Sequence, residues 1–314
     1  MADVESALNK MKGKHVLVTG GTGFIGAHLV EALRGFCRVT VLSSAGKSEG
    51  IDTLNVDLRN ETDVIKSLGD KNFDVVFHLA ANATNPSKYS AEDHLKTNAE
   101  GTRILLEACR GKGVERFIYS SSMSVFGPAL YLPVDEKHPK LPRSFYGASK
   151  LLGESYCNEY RSFYGLGTVV LRYSSVYGPG QAAGLVCATF ISNALNGEPL
   201  NVYETAGSKY DFVCVEDIVS ANILAACEDS AVGKDFNIGS GEQWSIDGLA
   251  RVIEGLLPNV RIIHVPGRSE GDKSFLFDIS KASDMLGYKP NYTLQRGLLE
   301  QIEYSKKQMH SAKP

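Results

Sequence analysis

A short β-rich run, His15-Val16-Leu17-Val18-Thr19, stops at Gly20-Gly21-Thr22-Gly23-Phe24-Ile25-Gly26 and gives way to a helical pattern from Ala27 to Leu33. Strand, glycine turn and helix in that order leave the chain few ways to fold. Gly20 allows the tight turn, Gly23 lets a pyrophosphate approach the backbone, and Gly26 lets helix and strand pack closely. The unpaired N–H groups at the helix start attract the negative charge. A glycine motif by itself is weak. Placed between a strand and a helix, it points to a parallel α/β sheet that binds a dinucleotide.

Composition fits a globular chain. Its 314 residues can bury a sizeable core, and 43% hydrophobic and 22% charged residues with a formal charge of -3 give no basic excess for nucleic acid or an anionic membrane. The six cysteines are scattered and none forms a Cys-x-x-Cys pair. They read as buried thiols in a reducing compartment, with no disulfide framework and no metal site. No segment approaches the roughly 18 apolar residues of a membrane span, so the cytoplasm is the expected location. Residues 1 to 14, polar and lysine-bearing, read as a frayed lead-in.

The second strand, Arg38 to Leu42, ends at Ser43, where a dinucleotide fold usually places an acid for the ribose hydroxyls. Without that carboxylate nothing repels a 2′-phosphate, and Lys47 offers it a cation, so NADP stays open beside NAD; the plainer reading is that Ser43 and Ser44 open a loop. Asp57, followed by Leu58, either reaches the adenine or caps the helix that begins near Glu61. Asp74 to Ala81 is a buried strand running into small residues, which let a cofactor lie close. His78 inside it reads as a core histidine, since no partner stands at metal-ligand spacing. The polar loop Asn82 to Ser90 suits the rim of a cleft, and Glu92 to Arg110 has the periodicity of one long amphipathic helix.

Phe117-Ile118-Tyr119 starts a buried strand that delivers Ser120, Ser121 and Ser122 to its carboxyl end, the edge where open parallel sheets bind ligands. Residues 127 to 144, broken by prolines and glycines, form a loop over that cleft. Tyr146-Gly147-Ala148-Ser149-Lys150 then opens a helix with phenol and ammonium one turn apart on one face. A nearby cation favours the phenolate and a serine hydroxyl can donate to the same oxygen, so this tyrosine can act as a base near neutral pH. The pentapeptide alone usually marks an ordinary helix; its position after a dinucleotide cradle and beside a strand-end serine raises it.

With these stretches, the chain resembles an extended short-chain dehydrogenase/reductase of the NAD-dependent epimerase/dehydratase family, in the pattern of UDP-glucose 4-epimerase-like enzymes. The glycine turn, His78-Leu79-Ala80-Ala81, Tyr119-Ser120-Ser121-Ser122 and Tyr146 with Lys150 carry the resemblance. So do Leu171 to Gln181, Asp211 to Asp217, Phe236 to Gly241 and Asp278 to Pro290. It implies a Rossmann-type doubly wound parallel sheet with a smaller mixed α/β substrate lobe. The expected division is residues 1–174, with 209–240 returning, for the cofactor domain, and 175–208 with 241–314 for the lobe.

It also implies residue roles. Ser122, with Ser121 as competitor, Tyr146 and Lys150 would be catalytic. Gly20, Gly23, Phe24, Ile25, Gly26, Ser43, Asp57, Leu58, Leu79, Ala80, Ala81, Asn98, Tyr146, Lys150 and Tyr173 would hold NAD. Asn82, Ser121, Ser122, Ser175, Tyr210 and Arg268 would face the substrate. Asn98 has an alternative reading as a buried amide satisfying backbone groups, and Arg172 one as a structural partner. Met123 and Ser124 stand where dehydratases of the family carry an acidic pair and decarboxylases a glutamate, which disfavours both. What remains is 4-epimerisation of a UDP-hexose through a transient ketone. An NADP(H)-dependent ketoreductase of a sugar-like carbonyl and a non-catalytic cofactor-binding relative are the alternatives. Tyr210 replaces an arginine that epimerases place before the Asp-Phe pair, and the Arg268 segment is one residue longer than usual, so the phosphate handle is thinly charged. The helices near Glu92 to Arg110 and Tyr146 to Tyr160 resemble those that pair in family homodimers.

Overall fold

A computed structural model describes residues 2–46, 48–83, 88–203, 207–267 and 274–311. Helix α1 (Ala2–Lys10) precedes β1 (His15–Thr19), α2 (Phe24–Leu33), β2 (Arg38–Ser43), β3 (Asp52–Asn55), α3 (Glu61–Leu68), β4 (Val75–His78) and α4 (Ala91–His94). A π-helical turn, Leu95–Glu100, joins α4 to α5 (Gly101–Cys109); β5 (Arg116–Ser122), α6 (Phe145–Tyr164) and β6 (Thr168–Tyr173) follow. Next come β7 (Ser175–Tyr177), α7 (Val186–Leu195), β8 (Leu200–Tyr203), β9 (Lys209–Tyr210), β10 (Phe212–Cys214), α8 (Val215–Cys227) and β11 (Asp235–Ile238). The chain closes with β12 (Trp244–Ser245), α9 (Ile246–Leu256), β13 (Ile262–Val265), α10 (Ser280–Leu286) and α11 (Leu294–Ser311).

The main sheet has seven strands in the order β11-β6-β5-β4-β1-β2-β3, and all its pairings are parallel. Its central strands are buried along almost their whole length because helices cover both faces. One core packs α1, α2, α8 and α10 against the sheet through residues such as Leu29, Ile218 and Leu286. The other packs α3, α5 and α6 through Val64, Leu105 and Cys157. Strand order reverses between β1 and β4, so the crevice beyond their carboxyl ends is the natural ligand site. The remaining strands form short pairs, β10 with β7, β12 with β9 and β13 with β8, and a third core joins them to α7, α9 and α11.

Two expectations fail here. The polar N-terminus is no frayed lead-in: α1 packs on α8, with Ala7 and Met11 buried. Val4, Ala7 or Leu8, and Met11 recur at helical spacing, an amphipathic signal overshadowed by the lysines. The helix expected from Glu92 to Arg110 is interrupted by the π turn, which carries Asn98. Ser245 caps α9, its Oγ accepting from the Gly248 N–H at 2.9 Å.

The loop after β5 is fastened from beneath. Val134 donates its N–H to the Leu276 carbonyl at 2.7 Å, and the Asp278 N–H donates to the Val134 carbonyl at 2.9 Å. Val125, Phe126, Val134, Phe275 and Phe277 form a small separate core there.

Candidate active site

The cradle at the end of β1 is dictated by bulk. Gly20 has φ +70°, and a β-carbon on it would lie 2.8 Å from the Ala80 nitrogen. One on Gly26 would lie 2.1 Å from the Gly20 carbonyl oxygen. Gly23 leads into α2 without a side-chain cap, and the first turn carries no acid, so the free N–H groups keep their attraction for an anion. Thr19 joins the neighbouring strand end: its hydroxyl accepts from the Ala80 N–H at 3.2 Å and meets His78 Nδ1 at 2.7 Å, while His78 Nε2 meets the Thr102 hydroxyl at 2.8 Å. Burial first, and Lys150 second, push the His78 ring down to about 3, so it is a neutral bridge between strands and helix.

The catalytic candidates meet at the end of β5. Ser144 caps α6, its Oγ accepting from the Gly147 N–H at 3.0 Å. A β-carbon on Gly147 would sit 2.3 Å from the Ser124 carbonyl oxygen, so glycine is what lets the helix start lie against the turn that follows Ser122. Ser122 Oγ accepts from the Ser124 N–H at 3.2 Å and donates to Ser124 Oγ at 3.3 Å, and its hydroxyl is near enough to favour the ionised Tyr146 phenol. Lys150, 3% exposed, donates to the Ser120 carbonyl at 2.7 Å. Its ammonium lies 6.0 Å from the centre of the Tyr146 ring. Desolvation raises the Tyr146 phenol above its ordinary value, and the Ser122 hydroxyl offsets only part of that. Against the expected acidified tyrosine, burial holds the phenol up, and the Lys150 ammonium donates to the Ser120 carbonyl.

Two cavities open beside this set. One of about 650 Å³ is bounded by Tyr89, His94, Arg143, Phe145 and Tyr146. Another of about 330 Å³ is lined by Met123, Ser124, Arg143, Tyr210 and Phe275. His94 is 4% exposed, with its ring edge-on to Tyr146 at 5.9 Å between centres. No pattern in the sequence flags His94 or Arg143.

A family model described as "NAD dependent epimerase/dehydratase family" matches residues 16–239. The chain is 33% identical to a putative UDP-glucose 4-epimerase of Methanocaldococcus jannaschii over 307 residues, 93% of this chain and 98% of that one. The chain belongs to the NAD dependent epimerase/dehydratase family. Among solved structures, a UDP-N-acetylglucosamine 4-epimerase from Methanobrevibacter ruminantium M1, in complex with UDP-N-acetylmuramic acid, superposes with a TM-score of 0.88 at 34% identity, covering 95% of this chain and 100% of that chain. A UDP-glucuronic acid 4-epimerase from Bacillus cereus, in complex with UDP-glucuronic acid and NAD, gives 0.85 at 29% identity, covering 94% and 99%.

The cofactor of an NAD dependent epimerase/dehydratase fits this cradle, because the space at Gly20 and Gly26 is closed to any side chain and the α2 N-terminus is uncapped. Leu79 and Ala80 border it, their N–H groups donating to the Thr19 carbonyl and hydroxyl respectively, Ala81 follows half-buried, and Phe24 and Ile25 form the first turn of α2.

Other expected positions have partners within the chain. The Ser43 hydroxyl is shared with Thr22 Oγ1 at 2.6 Å and accepts from the Ala45 N–H at 3.1 Å. Asp57 neither caps α3, which Asn60 does, nor offers a free carboxylate, because Arg59 grips it at 2.6 Å. Arg59 first holds the Asp57 carboxyl below its ordinary value, against a smaller effect of burial. Leu58 packs against Gly101. The Tyr173 hydroxyl bonds with Ser120 at 3.0 Å and with Asn222, and burial pushes it up to about 12.

Asn98 and Asn82 face one another. Asn98 Oδ1 accepts from the Asn82 N–H at 2.7 Å, and its amide donates to the Asn82 carbonyl at 3.0 Å and to Ser149 at 3.1 Å. The Asn82 amide in turn donates to the Asp93 carbonyl and to Thr97. Both amides thus serve backbone and helix rather than the open cleft. Ser121 is directed away from Ser122 as well, its hydroxyl donating to Glu154 at 2.6 Å. Ser175 Oγ lies 3.8 Å from Met123 Sδ, and Tyr210 lines the smaller cavity. Arg268 and Lys47 lie outside the described residues. Among the described residues no group of three or more His, Cys, Asp or Glu could hold a metal ion, and no helix is long and apolar enough to cross a membrane.

Proposed function

We propose that this chain is an NAD-dependent 4-epimerase of a nucleotide-diphospho-hexose, with UDP as the nucleotide. The observation that supports the reading is that Ser122, Tyr146 and Lys150 stand together at the carboxyl end of β5, in the same parallel sheet whose β1 ends in the glycine turn, with no carboxylate at Met123 or Ser124. In the cradle, NAD supplies reversible two-electron oxidation of one sugar carbon. Gly20, Gly23, Gly26 and the first turn of α2 hold its pyrophosphate. Tyr146 Oη takes the proton of the sugar 4-hydroxyl and returns it after the sugar has presented its other face. Ser122 Oγ donates to the reacting oxygen, and Lys150 holds the ammonium charge beside the phenol. Met123, Ser124, Tyr210 and Phe275 shape the space for the sugar. In this division of labour the strands of the main sheet carry the cofactor, and the third core with its short strand pairs forms the substrate lobe.

The choice of NAD rests on the end of β2. A cavity of about 260 Å³ there is bordered by Glu31, Arg34 and Glu49. Glu31 pairs Arg34 at 2.9 Å, which leaves the Glu49 carboxylate to repel a 2′-phosphate. We also infer a homodimer, because Phe145, Leu152 and Phe163 on α6 and Leu95 on the π turn expose apolar surface. Action in the cytoplasm agrees with cysteines that are all free.

The test is to incubate purified protein with UDP-glucose and UDP-N-acetylglucosamine without added cofactor, then to resolve the C4 epimers by NMR. Native mass spectrometry of the same preparation should show retained NAD. Steady consumption of added NADPH with no epimer would replace the reading with the reductase. Sedimentation as a monomer would remove the dimer.

A further inference from the structure

Glu154 lies one helical turn beyond Lys150 and is 3% exposed. A carboxylate so deeply buried is costly unless it is paired and hydrogen-bonded. Its partners come from separate elements. Ser121 of β5 donates to Oε1 at 2.6 Å. Arg172 of β6, itself 1% exposed, donates through Nε and Nη2 at 2.8 Å each, and Lys140 of the loop over the cleft lies 3.6 Å away. Arg172 also bonds Asp235 of β11 at 2.5 Å, and Lys281 of α10 bonds Asp235 at 3.0 Å. The Arg172 guanidinium lies over the Phe126 ring at 5.3 Å, just beyond the turn that carries Met123 and Ser124.

We propose that Glu154 is a positioning residue of the active site: its carboxylate tethers the end of β5 to α6 through Ser121 and keeps the neighbouring Lys150 in its ammonium form. This rests on the epimerase reading for its catalytic consequence. The tether follows from adjacency. Ser121 precedes Ser122, and Glu154 shares a helix with Tyr146 and Lys150, so one hydrogen bond fixes the strand that carries one catalytic group against the helix that carries the others. The charge argument follows from the count of neighbours. Glu154 and Asp235 stand against Arg172, Lys140 and Lys281, so neutralising Glu154 leaves three cations facing one carboxylate. Around Lys150 itself stand Glu154 and Cys157 on its own helix, the Tyr146 phenol, Tyr119 from β5 at 5.1 Å and His78 from β4. Glu154 is the one carboxylate among these groups. Burial pushes Lys150 down to about 8, and Cys157 and Glu154 oppose that fall.

The experiment titrates the cofactor-free protein by NMR with lysine labelled at Cε, the Lys150 signal being assigned by its absence in Lys150→Met. In Glu154→Gln the Lys150 midpoint should fall by about one pH unit, a tenfold loss of proton affinity, and the alkaline limb of kcat should move down with it. An unchanged midpoint in the folded variant overturns the charge role. Should Glu154→Gln alone not fold, pairing it with Arg172→Met removes both charges of the buried pair, a change better tolerated than loss of one partner. A fall of the same sign but smaller size is expected there, because the Arg172 cation leaves together with the carboxylate that stands one turn from Lys150; an unchanged midpoint there too overturns the charge role. Ser121→Ala keeps every charge and cuts the tether. Its kcat should drop about tenfold with KM and the Lys150 midpoint unchanged, and wild-type kcat overturns the tether. The titration needs no substrate, so a failure of the epimerase reading leaves its outcome legible.

Discussion

Gly26 stands so close to Gly20 that a β-carbon on the first would lie 2.1 Å from the carbonyl oxygen of the second. That oxygen also accepts from the Gly23 N–H at 2.9 Å, so it cannot move aside without undoing the turn. Gly26→Ala should therefore open the cradle, costing about 1–3 kcal/mol of stability and weakening NAD binding more than tenfold. Thermal melting and calorimetric titration with NAD check it; native affinity in the variant would mean that the turn is not what holds the pyrophosphate.

Tyr146→Phe removes one oxygen and leaves the ring against His94. As the acid/base, Tyr146 should cost about 10²- to 10⁴-fold in kcat when lost, with little change in KM. The wild-type rate should rise with pH on its acid side, because desolvation makes the phenol reluctant to ionise. A variant that retains both rate and pH limb would assign the proton transfer to another group.

His78 is neutral between two threonine hydroxyls, and its ring is depressed from 6.5 to about 3 by burial. The stability it contributes is complete above about 6.5 and is lost as pH falls toward about 3, at about 1.4 kcal/mol per pH unit. Between about pH 7 and about pH 5 the wild type should lose about 2 kcal/mol more than His78→Gln. Denaturant unfolding at both pH values measures the difference, and parallel losses would contradict the bridge.

Asn98→Ala cuts both bonds to the Asn82 backbone and the one to Ser149. We expect a loss of about 1–3 kcal/mol and a raised KM, since the segment leaving β4 is freed beside the cleft. Equilibrium unfolding and steady-state kinetics read both effects; an unaltered KM would confine Asn98 to the scaffold.

The cradle was legible in the sequence because steric exclusion acts locally: strand, glycine turn and helix follow one another without a break from His15 to Leu33. Ser121 and Ser122 show where local reading ends. Strand periodicity separates their faces but does not say which face meets α6, because that depends on Glu154 far along the chain. Asp57 misses the α3 cap for the opposite reason: its carboxylate is taken by Arg59, only two residues away, and Asn60 stands at the cap. The π turn has no residue signature that periodicity detects, and with it went the inward rotation of Asn98.

β11 forms the outer edge of the main sheet beside β6, yet α7, α8 and four short strands are encoded between them. On the ribosome the sheet thus remains incomplete while all of that intervening chain is made, with the hydrogen-bonding edge of β6 uncovered. Truncated or stalled products ending in this interval carry a bare strand template, which makes them candidates for chaperone capture or aggregation.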